Sequence, residues 1–544
     1  MEIVDIMPYV LLYLKIFLYI FGITFLLNGL NEFFIDLVKM YKEGYRKYFV
    51  FKRKSKLTEN DLLSLEEKKI AIMIPAWDES AVIDKMLDNS IRTLNYLNYV
   101  IFVGTYPNDE ATQLKVYEVR EKYPNIEIIV CPKDGPTSKA DCLNWIYEGI
   151  LLYEKNNDVK FELFVMEDSE DILHPYTLKL FNYLCDKADM IQLPVIPIPP
   201  DKWYHFTRGT YLDEFATNHS RDMYVREVLS KNIPSAGVGT AINRKIMNTL
   251  YNNNKHQLFS IGSVTEDYEF GIKMNDIEGI KQIFSKIYIE KSIIDGDEVK
   301  KVRDLIGIRE YFPNVFKDAI KQKSRWIVGI TMQGWKKIGW YGGFWMKYML
   351  LRDRLAIFTN QFTMLANVLV PIYLSVWGYK FVFPEYYIFP SLVESGSILF
   401  YILLSNLVIL LWQFSLRFYY VNSIHGKKQA FLSIPRLFWC NIINYFATIR
   451  ALKLYMNHLL FNKPIAWDKT DHAYPTEEEL VSYRRKIGEM LLDKKTITIK
   501  QLTDALEKQK TIYKDKKLGE ILVLLGYSTN ESINNVLNIK DEKL

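Results

Sequence analysis

The sequence predicts an α/β domain with a mostly parallel, doubly wound sheet, joined to transmembrane helices and to a small α-helical C-terminal domain. Three observations predict this architecture: alternating strand and helix patterns, long apolar stretches on both sides of them, and a short repeat near the end. The composition agrees, because 49% hydrophobic residues combined with 24% charged residues is typical of a soluble domain attached to membrane spans. At 544 residues the chain is long enough for two or three domains.

Four short apolar runs predict buried strands, at residues 70–74, 100–103, 126–130 and 161–166. The first run is continuous and ends at Pro75, which is typical of a parallel strand covered on both faces. Helical patterns separate the runs, at residues 81–94, 111–122 and 140–153. This alternation predicts a doubly wound sheet, in which ligands bind beyond the carboxyl ends of the strands.

Three apolar stretches are long enough to span a bilayer, at residues 8–37, 355–381 and 397–420. A signal peptide is the alternative for the first stretch, but no small-residue cleavage site follows it. Acidic residues precede this stretch, whereas cations follow it, at Lys39, Lys42, Arg46, Lys47, Lys52, Arg53 and Lys54. The positive-inside rule therefore predicts that the N-terminus faces outward and that the chain from residue 40 onward is cytoplasmic.

Two further segments are predicted to be helices that lie in the membrane interface. Residues 335–348 are rich in aromatic side chains, which favour the headgroup region. Residues 430–461 are apolar but interrupted by polar side chains, of which Arg436, Arg450 and Lys453 could extend along a polar face.

We expect six segments along the chain. They are an N-terminal transmembrane helix at 1–38, a basic cytoplasmic linker at 39–68, the α/β domain at 69–334, interfacial and transmembrane helices at 335–462, a linker at 463–480 and the C-terminal domain at 481–544. The four cysteines are scattered, which indicates reduced thiols rather than disulfides or a zinc site. The formal net charge of +5 is too small on this length to indicate a nucleic-acid partner.

Acidic residues follow three of the predicted strands. Asp78 and Glu79 follow the first, Asp109 the second, and Asp168 and Glu170 the fourth. Two carboxylates at Asp168 and Glu170 can both reach one divalent cation that bridges a diphosphate, and hard oxygen ligands suit Mg²⁺ or Mn²⁺. An isolated Asp-x-Glu is more often an acidic turn that caps a helix. No Gly-x-Gly-x-x-Gly follows any strand, which argues against a dinucleotide cofactor.

Charged and aromatic residues farther along the chain extend this pattern. Lys139, at the start of a predicted helix, can face a phosphate. Glu266 and Asp267 offer a carboxylate that can take a proton from a hydroxyl. Arg325 can neutralise charge on a departing diphosphate, and Trp326 offers a sugar ring a flat apolar face. Each residue alone is more often a cap, a surface cation or a core indole, but together and in this order they favour sugar transfer.

These motifs resemble those of the processive family 2 glycosyltransferases, which have a GT-A fold, as in cellulose and hyaluronan synthases. The matching segments are Asp168-Ser-Glu170, Thr265-Glu-Asp267, Gln322-Lys-Ser-Arg325-Trp326, Lys139-Ala-Asp-Cys-Leu-Asn144 and Ala236-Gly-Val-Gly-Thr240. The sequence is also similar to the phage adsorption protein B type of inner-membrane glycosyltransferase. The similarity lies in the Asp-x-Glu-Asp motif at residues 168–171 and in residues 463–472.

The resemblance implies an inverting, metal-dependent hexosyltransferase of the bacterial inner membrane, with its catalytic domain in the cytoplasm. By the resemblance, the nucleotide diphosphate is held by Asp78, Glu79, Asp109, Lys139 and Asp168, the metal by Asp168 and Glu170, and the acceptor mouth by Gln322, Arg325 and Trp326. Asp267 would be the general base, with Glu266 beside it. The expected partners are a UDP-linked sugar donor, a glycan or lipid-linked acceptor, and an outer-membrane or export component. The segment Gly104-Thr-Tyr-Pro-Asn-Asp109 departs from the acidic pair that the family has at this place.

A short repeat marks the C-terminal domain. Lys486-Ile-Gly488-Glu-Met-Leu-Leu recurs as Lys517-Leu-Gly519-Glu-Ile-Leu-Val, which predicts a small helical module. The module resembles the MshE N-terminal-type domain, which binds cyclic di-GMP through two such repeats. By that resemblance the candidate ligand residues are Arg485, Lys486, Gly488, Lys517 and Gly519. The first repeat departs from the pattern, because it has Lys486 before its Ile-Gly and Lys495 where a glycine is expected.

Two hypotheses about function stay open. The first is a membrane glycosyltransferase that extends a glycan and is regulated by cyclic di-GMP. The second is a catalytically silent scaffold or receptor component that responds to cyclic di-GMP. A glycosidase with paired carboxylates is disfavoured, because hydrolysis does not require Lys139 or Arg325.

Overall fold

The computed structural model describes residues 3–50, 57–254, 256–295, 298–386, 391–463, 465, 473–476, 479–480, 483, 487–493 and 496–537. Arg485, Lys486, Lys495 and much of the predicted linker at 463–480 lie outside this part of the chain. The chain divides into two compact units. The sheet unit comprises residues 56–196, 232–311 and 471–544, and the helical unit comprises residues 1–55, 197–231 and 312–470.

The described helices and strands are numbered in chain order. The helices are α1 Ile3–Tyr45, α2 Glu59–Leu63, α3 Ile83–Thr93, α4 Glu110–Arg120, α5 Lys139–Asn157, α6 Thr177–Leu184, α7 Phe206–Thr217, α8 Met223–Ser230, α9 Arg244–Asn253, α10 Glu266–Lys273, α11 Phe316–Ile327, α12 Gly334–Lys337, α13 Phe344–Val382, α14 Ile398–Phe461, α15 Ile487–Asp493, α16 Ile499–Thr511, α17 Leu518–Leu524 and α18 Asn530–Leu537. The strands are β1 Ile70–Pro75, β2 Tyr99–Thr105, β3 Ile126–Val130, β4 Leu163–Met166, β5 Met190–Gln192, β6 Val195–Pro197, β7 Thr240–Asn243, β8 Gln282–Phe284, β9 Tyr288–Asp295, β10 Glu298–Leu305 and β11 Ile308–Glu310.

The sheet unit is built on seven strands in the order β3-β2-β1-β4-β7-β5-β8. Strands β3, β2, β1 and β4 are parallel to one another, as are β5 and β8, and only β7 runs antiparallel to its two neighbours. The prediction of a mostly parallel doubly wound sheet is therefore confirmed. All of β2 is buried, as is β1 up to Pro75, because helices cover both faces of a parallel sheet.

Among the described residues of the helical unit, three helices, α1, α13 and α14, are long and apolar enough to cross a membrane by length and composition. They coincide with the three predicted spans. Helix α14 is interrupted at Gly426, whose φ of 80° and ψ of 172° are open essentially to glycine alone. The chain therefore changes direction after the third apolar stretch.

The two segments predicted as interfacial helices differ in outcome: residues 430–461 are helical, within α14, whereas residues 335–348 are not one helix. Residues 335–348 do not form one helix, because α12 ends at Lys337 and α13 begins at Phe344, with Gly339 and Gly342 at positive φ between them. In the second segment Arg436 does not extend along a polar face. It is buried, and its guanidinium donates to both carboxylate oxygens of Asp213, at 3.0 and 2.7 Å. This bidentate geometry favours arginine where a carboxylate is buried.

Buried ion pairs join the elements of the helical unit. Asp213 on α7 is fully buried and also accepts a hydrogen bond from Arg417 at 3.2 Å. Arg221, between α7 and α8, pairs with Glu32 at 2.6 Å and with Asp36 at 3.3 Å, both on α1. Charges at these positions hold α7 and α8 to the long apolar helices.

The C-terminal repeats form equivalent helices, α15 and α17, around a small apolar core. Gly488 and Gly519 lie at the second position of these helices, and both are buried. A Cβ on Gly488 would lie 2.8 Å from Leu502 Cδ1, and one on Gly519 would lie 3.3 Å from Ile487 Cδ1. Close helix packing is therefore enough to explain both glycines, whereas Lys517 is exposed at the N-cap of α17.

Candidate functional site

The loops after β1 and β2 meet at the carboxyl edge of the sheet. Asp109 caps α4, and its Oδ1 accepts a hydrogen bond from Thr112 N at 3.3 Å. Its Oδ2 accepts from Asp78 N at 2.5 Å, and Glu79 N donates to Thr112 Oγ1 at 2.9 Å. Asp78 itself is exposed and has a positive φ of 55°. The structure thus brings Asp78, Glu79 and Asp109 together, with both oxygens of Asp109 used to shape the loops.

Lys139 and Asp168 form an ion pair at the same edge. Lys139 is the first residue of α5, which Ser138 caps by accepting a hydrogen bond from Asp141 N at 3.1 Å. The Lys139 Nζ lies 2.5 Å from Asp168 Oδ1 and donates to the Gly237 carbonyl at 3.4 Å. Burial alone would lower the pKa of Lys139, but the carboxylates around it raise the pKa well above its ordinary value. Lys139 is therefore a permanent cation.

Gly237 lies between Lys139 and Asp267. Its φ of 81° is in the left-handed region that favours glycine. A Cβ at this position would lie 2.7 Å from Asp267 Oδ2 and 3.2 Å from Lys139 Nζ. The structure therefore brings Lys139, Asp168 and Asp267 into one cluster, although each comes from a motif about 30 to 100 residues from the next. Sequence order alone does not reveal this proximity.

Negative charge is in excess in this cluster. Burial, and then the neighbouring Asp267, raise the pKa of Glu266 to about 7. Burial also raises the pKa of Asp267, and the Lys139 ammonium offsets part of that rise. A carboxylate whose pKa is closer to neutrality is a stronger general base than an ordinary one. The arrangement therefore offers a carboxylate of raised pKa, Asp267, that can accept a proton from a bound hydroxyl.

Sequence reasoning missed two buried acids, Glu167 and Asp171, that flank the predicted Asp168 and Glu170. Glu167 Oε2 accepts a hydrogen bond from Gly239 N at 3.1 Å, and Asp171 Oδ2 accepts from Asp168 N at 2.6 Å. Burial raises the pKa of Glu167 to about 8 and also raises the pKa of Asp171, to which Glu167 contributes. The run Glu167-Asp-Ser-Glu-Asp171 was a signal for them, because four acids in five residues exceed what one metal site needs.

Asp168 and Glu170 carry oxygen donors of the kind that suits a metal shared with a phosphate ligand. In the described part of the chain, no cluster of three His, Cys, Asp or Glu side chains could hold a metal by itself. Asp168 is partly exposed, and Glu170 Oε2 accepts a hydrogen bond from Ser169 Oγ at 3.1 Å. Mg²⁺ is commonly bound by one or two carboxylates together with substrate phosphates, so two oxygen donors are sufficient.

Gln322, Arg325 and Trp326 belong to the helical unit, on α11. The Trp326 indole packs against the rings of Tyr211, Phe215 and Phe312, with centroids 6.1, 6.3 and 6.4 Å away. Gln322 is buried, and its side-chain oxygen has no hydrogen-bond partner among the described residues. The aromatic packing fixes the indole, whereas the ligand roles of these three residues stay predictions.

Two neighbouring residues of α11 hold the helix in place. Lys323 Nζ donates to Glu214 Oε2 at 2.6 Å and to Asn444 Oδ1 at 2.9 Å. Arg450 Nη1 donates to Ser324 Oγ at 2.6 Å. These contacts fix α11 on α7 and on the second half of α14.

Comparisons with known proteins agree with the sequence motifs. The family model described as glycosyltransferase like family 2 matches residues 68–329. The chain is 36% identical over 531 residues to bacteriophage adsorption protein B of Escherichia coli K12, an alignment that covers 96% of this chain and 70% of the relative. Bacteriophage N4 adsorption protein B of Escherichia coli O157:H7 matches with the same identity and coverage.

Solved structures give weaker matches. The mannosyltransferase PcManGT of Pyrobaculum calidifontis, in complex with GDP-Man and Mn²⁺, matches with a TM-score of 0.40 and 13% identity over 78% of this chain and 99% of that chain. TarS 1–349 of S. aureus, in complex with UDP-GlcNAc, matches with a TM-score of 0.33 and 10% identity over 75% of this chain and 97% of that chain. These scores are too low to assign a ligand, so the family rests on the sequence matches. On that basis the chain belongs to glycosyltransferase family 2, as a relative of the bacteriophage adsorption protein B proteins.

Proposed function

We propose that this protein is an inverting, metal-dependent glycosyltransferase of the bacterial inner membrane. It transfers a hexose or N-acetylhexosamine from a nucleotide-diphosphate sugar, UDP-linked in our proposal, to a glycan or lipid-linked acceptor during surface or exopolysaccharide synthesis. The observation that carries the proposal is the cluster of Lys139, Asp168 and Asp267 at the carboxyl edge of the sheet. This cluster combines a cation that can bind a phosphate, Lys139, with a carboxylate of raised pKa that can take a proton from a hydroxyl, Asp267.

The proposed reaction uses Asp267 as the general base. Its carboxylate takes the proton from an acceptor hydroxyl, and the hydroxyl oxygen forms a bond to the anomeric carbon of the donor sugar. The bond from that carbon to the diphosphate oxygen breaks on the opposite face, so the configuration inverts. Asp78, Glu79, Asp109, Lys139 and Asp168 bind the donor in this proposal.

A divalent metal, Mg²⁺ or Mn²⁺, would be held by Asp168 and Glu170 together with the donor phosphates. When bound, such an ion neutralises negative charge on the departing diphosphate. In the proposal Arg325 also stabilises negative charge on the departing diphosphate, because a guanidinium donates paired hydrogen bonds to phosphate oxygens. Gln322 and Trp326 line the path of the acceptor, for which the fixed indole of Trp326 offers an apolar platform.

A donor panel in isolated membranes tests this proposal. Membranes that contain the protein are incubated with labelled UDP- and GDP-sugars, with Mn²⁺, with Mg²⁺ or with a chelator. We expect metal-dependent transfer from one donor, and we expect Asp168→Asn and Glu170→Gln to raise the metal concentration that half-maximal transfer requires. Glu148→Gln is the matched control, because Glu148 lies on α5 and its carboxylate accepts a hydrogen bond from Tyr251. Transfer that persists in the chelator would contradict the assignment of Asp168 and Glu170 as metal ligands. Absence of transfer from every donor would contradict the proposal that the protein is a glycosyltransferase.

The orientation of the protein is proposed from its charges. The cations that follow the first apolar stretch favour a cytoplasmic location for the catalytic domain, where nucleotide sugars are made available. Fusions of alkaline phosphatase at the N-terminus and after Val50 test this: activity is expected for the first and not for the second. An outer-membrane or export component would then receive the product.

We also propose that cyclic di-GMP regulates transfer through the C-terminal module. Within the sheet unit, Tyr311 donates to Glu479 at 2.6 Å, and the Arg309 guanidinium lies 5.0 Å from the centre of the Tyr483 ring. The backbone of Arg309 pairs with Ile172 at 2.9 and 3.0 Å. Ile172 directly follows the acidic residues at 167–171, so the segment before the module contacts a strand that pairs with the residue next to the proposed donor-binding acids.

A binding and transfer assay with cyclic di-GMP tests the regulation. We expect the nucleotide to change the transfer rate, and we expect Lys517→Met, together with Arg485→Met and Lys486→Met, to remove the change without affecting basal transfer. Binding of cyclic di-GMP without transfer from any donor would instead favour the silent scaffold or receptor component. Absence of binding would contradict the regulatory part of the proposal alone.

A further inference from the structure

Gln192, the last residue of β5, is fully buried and holds the glycine-rich segment at residues 236–240. Its Oε1 accepts hydrogen bonds from Ala236 N at 2.9 Å and from Thr240 Oγ1 at 2.7 Å. Its Nε2 donates to the carbonyl oxygens of Val238 at 2.8 Å and Gly239 at 3.3 Å. One side chain therefore holds both ends of the segment and two carbonyl groups between them.

Two other side chains complete the support of this segment. Gly239 N donates to Glu167 Oε2 at 3.1 Å, and Gly237 N donates to Ser235 Oγ at 3.1 Å. Buried backbone groups require hydrogen-bond partners, and strands normally supply them. Here strand pairing reaches the end of the segment, where Leu193 N donates to Gly239 O at 2.8 Å and Thr240 belongs to β7. Side chains bond the backbone groups before it, at Ala236, Gly237 and Val238. The position of Gly237 therefore depends on side chains from β5 and from the acidic loop.

The position of Gly237 matters because of its two neighbours. A Cβ built on Gly237 would lie close to both the Asp267 carboxylate and the Lys139 ammonium, at 2.7 and 3.2 Å, so there is no room for a side chain there. Lys139 pairs with Asp168 on the other side, at 2.5 Å. Displacement of Gly237 would open a path for Lys139 to pair with Asp267 instead, which would occupy the carboxylate that is needed for the acceptor.

We propose that Gln192 is a positioning residue for sugar transfer, which fixes the glycine-rich segment so that Gly237 keeps Asp267 apart from Lys139. This inference rests on the proposed function, because it uses Asp267 as the base and Lys139 as the cation for the diphosphate. Gln192 acts through the backbone of the segment and contacts no reacting atom. Its loss is therefore expected to reduce turnover and to leave binding of the nucleotide intact.

The test compares Gln192→Met with Gln192→Glu in the full-length protein. The methionine variant conserves volume and removes all the hydrogen bonds, whereas the glutamate variant keeps the acceptor for Ala236 and Thr240 and loses the donor. We expect turnover to fall about 100-fold in the methionine variant, as for displacements near 1 Å, with no change in the dissociation constant of UDP measured by calorimetry with Mn²⁺. The glutamate variant should show a smaller loss.

Gln282→Met is the matched control. Gln282 is also a buried glutamine. Its side chain accepts a hydrogen bond from Ile233 N at 2.6 Å and donates one to Gly271 O at 2.8 Å, and both partners lie outside the glycine-rich segment. It should lose stability but keep the wild-type ratio of turnover to UDP affinity. If Gln192→Met cannot be purified, Thr240→Val removes one of its hydrogen bonds at a lower cost and takes its place.

Hydrogen exchange separates failure of this inference from failure of the proposed function. Amide exchange at residues 236–240 should increase in Gln192→Met and stay unchanged in Gln282→Met, whether or not a donor has been found. Unchanged exchange at these residues would overturn the inference, as would increased exchange with wild-type turnover. A wild-type protein without transfer from any donor would overturn the proposed function instead.

Discussion

The two units of the protein bury carboxylates in opposite ways. In the sheet unit Lys139 is the cation that faces Asp168, Glu266 and Asp267 together. In the helical unit the fully buried Asp213 has two arginines, Arg417 and Arg436. Burial raises the pKa of Glu266 to about 7, and Asp267 contributes to that rise. Carboxylates thus outnumber cations in one cluster, and cations outnumber carboxylates in the other.

Burial raises the pKa of Asp213 even though two arginines face it. The neighbouring Glu214, which faces a lysine, shows the opposite result. Burial alone would raise the pKa of Glu214, but the Lys323 ammonium at 2.6 Å more than offsets it, and the pKa lies below its ordinary value. Asp267 is also buried, yet its pKa is raised, because Lys139 is shared with other acids. Matched pairs of the first kind are typical of structural joints, whereas an excess of perturbed acids is typical of sites that bind cations or move protons.

Among the substitutions that test this difference between the two units, Lys139→Met should have the largest effect. It removes the cation that faces three carboxylates, and the sheet unit should lose about 3–5 kcal/mol of unfolding free energy, together with its affinity for UDP. Thermal unfolding in detergent and calorimetry measure the two effects. Lys179→Met is the control, because the buried Lys179 pairs with Glu67 at 2.9 Å outside the cluster and should keep UDP binding. Wild-type affinity for UDP in Lys139→Met would contradict the assignment.

Asp213→Asn should destabilise the helical unit without a direct effect on donor binding. The substitution leaves the buried Arg436 and the partly buried Arg417 opposite a neutral amide, which costs about 3 kcal/mol. Tryptophan fluorescence during denaturation measures the loss. Asp213→Leu combined with Arg417→Met and Arg436→Met should recover much of it, because no buried charge remains. If Asp213→Asn is as stable as the wild type, these ion pairs do not hold the helices of this unit together.

Gly237→Ala should reduce transfer by about 100-fold, because a Cβ at 2.7 Å from Asp267 Oδ2 displaces the proposed base. The left-handed backbone adds about 1–2 kcal/mol of strain. Gly262→Ala separates the two effects, since Gly262 has a similar φ of 85° but a Cβ there would meet no atom within 4 Å. It should show the strain in thermal unfolding and keep wild-type transfer. Equal loss of transfer in both variants would assign the effect to strain alone.

Glu266→Gln should give the smallest effect, in the pH dependence of stability. The pKa of Glu266 is raised from 4.5 to about 7 in the folded protein, so ionisation opposes folding. Stability from this group is fully present below pH 4.5 and is lost as the pH rises through about 7. Unfolding between pH 4.5 and 8, without metal or nucleotide, should show a decline that Glu266→Gln reduces by about 1–2 kcal/mol. Parallel curves for variant and wild type would contradict the raised pKa.

The sequence predicts the first half of the sheet better than the second. Residues 70–74 were predicted as a strand and lie in β1, because a buried run of five apolar residues leaves a clear pattern. Strands β5, β7 and β8 have only three or four residues, too few to show a period, and were not predicted. Their order depends on crossovers between distant segments, which local patterns do not encode.

The site shows the same division between local motifs and distant contacts. Lys139, Asp168 and Asp267 were predicted because each belongs to a motif, and the structure brings them together. Gln192 was missed because its importance arises only where β5 meets a segment more than 40 residues later. Arg436 was wrongly predicted to extend along a polar face, because its partner Asp213 is 223 residues away in the sequence.

Transfer of labelled sugar by Asp267→Asn tests the central claim most directly. The rate is measured in membranes with the donor found for the wild type, alongside calorimetry of UDP with Mn²⁺ and thermal unfolding. If the acid-rich edge of the sheet is the catalytic site, transfer should fall by about 10³-fold while UDP affinity and stability are kept. Wild-type transfer by Asp267→Asn would contradict the account, because the excess of acids would then have no part in the chemistry.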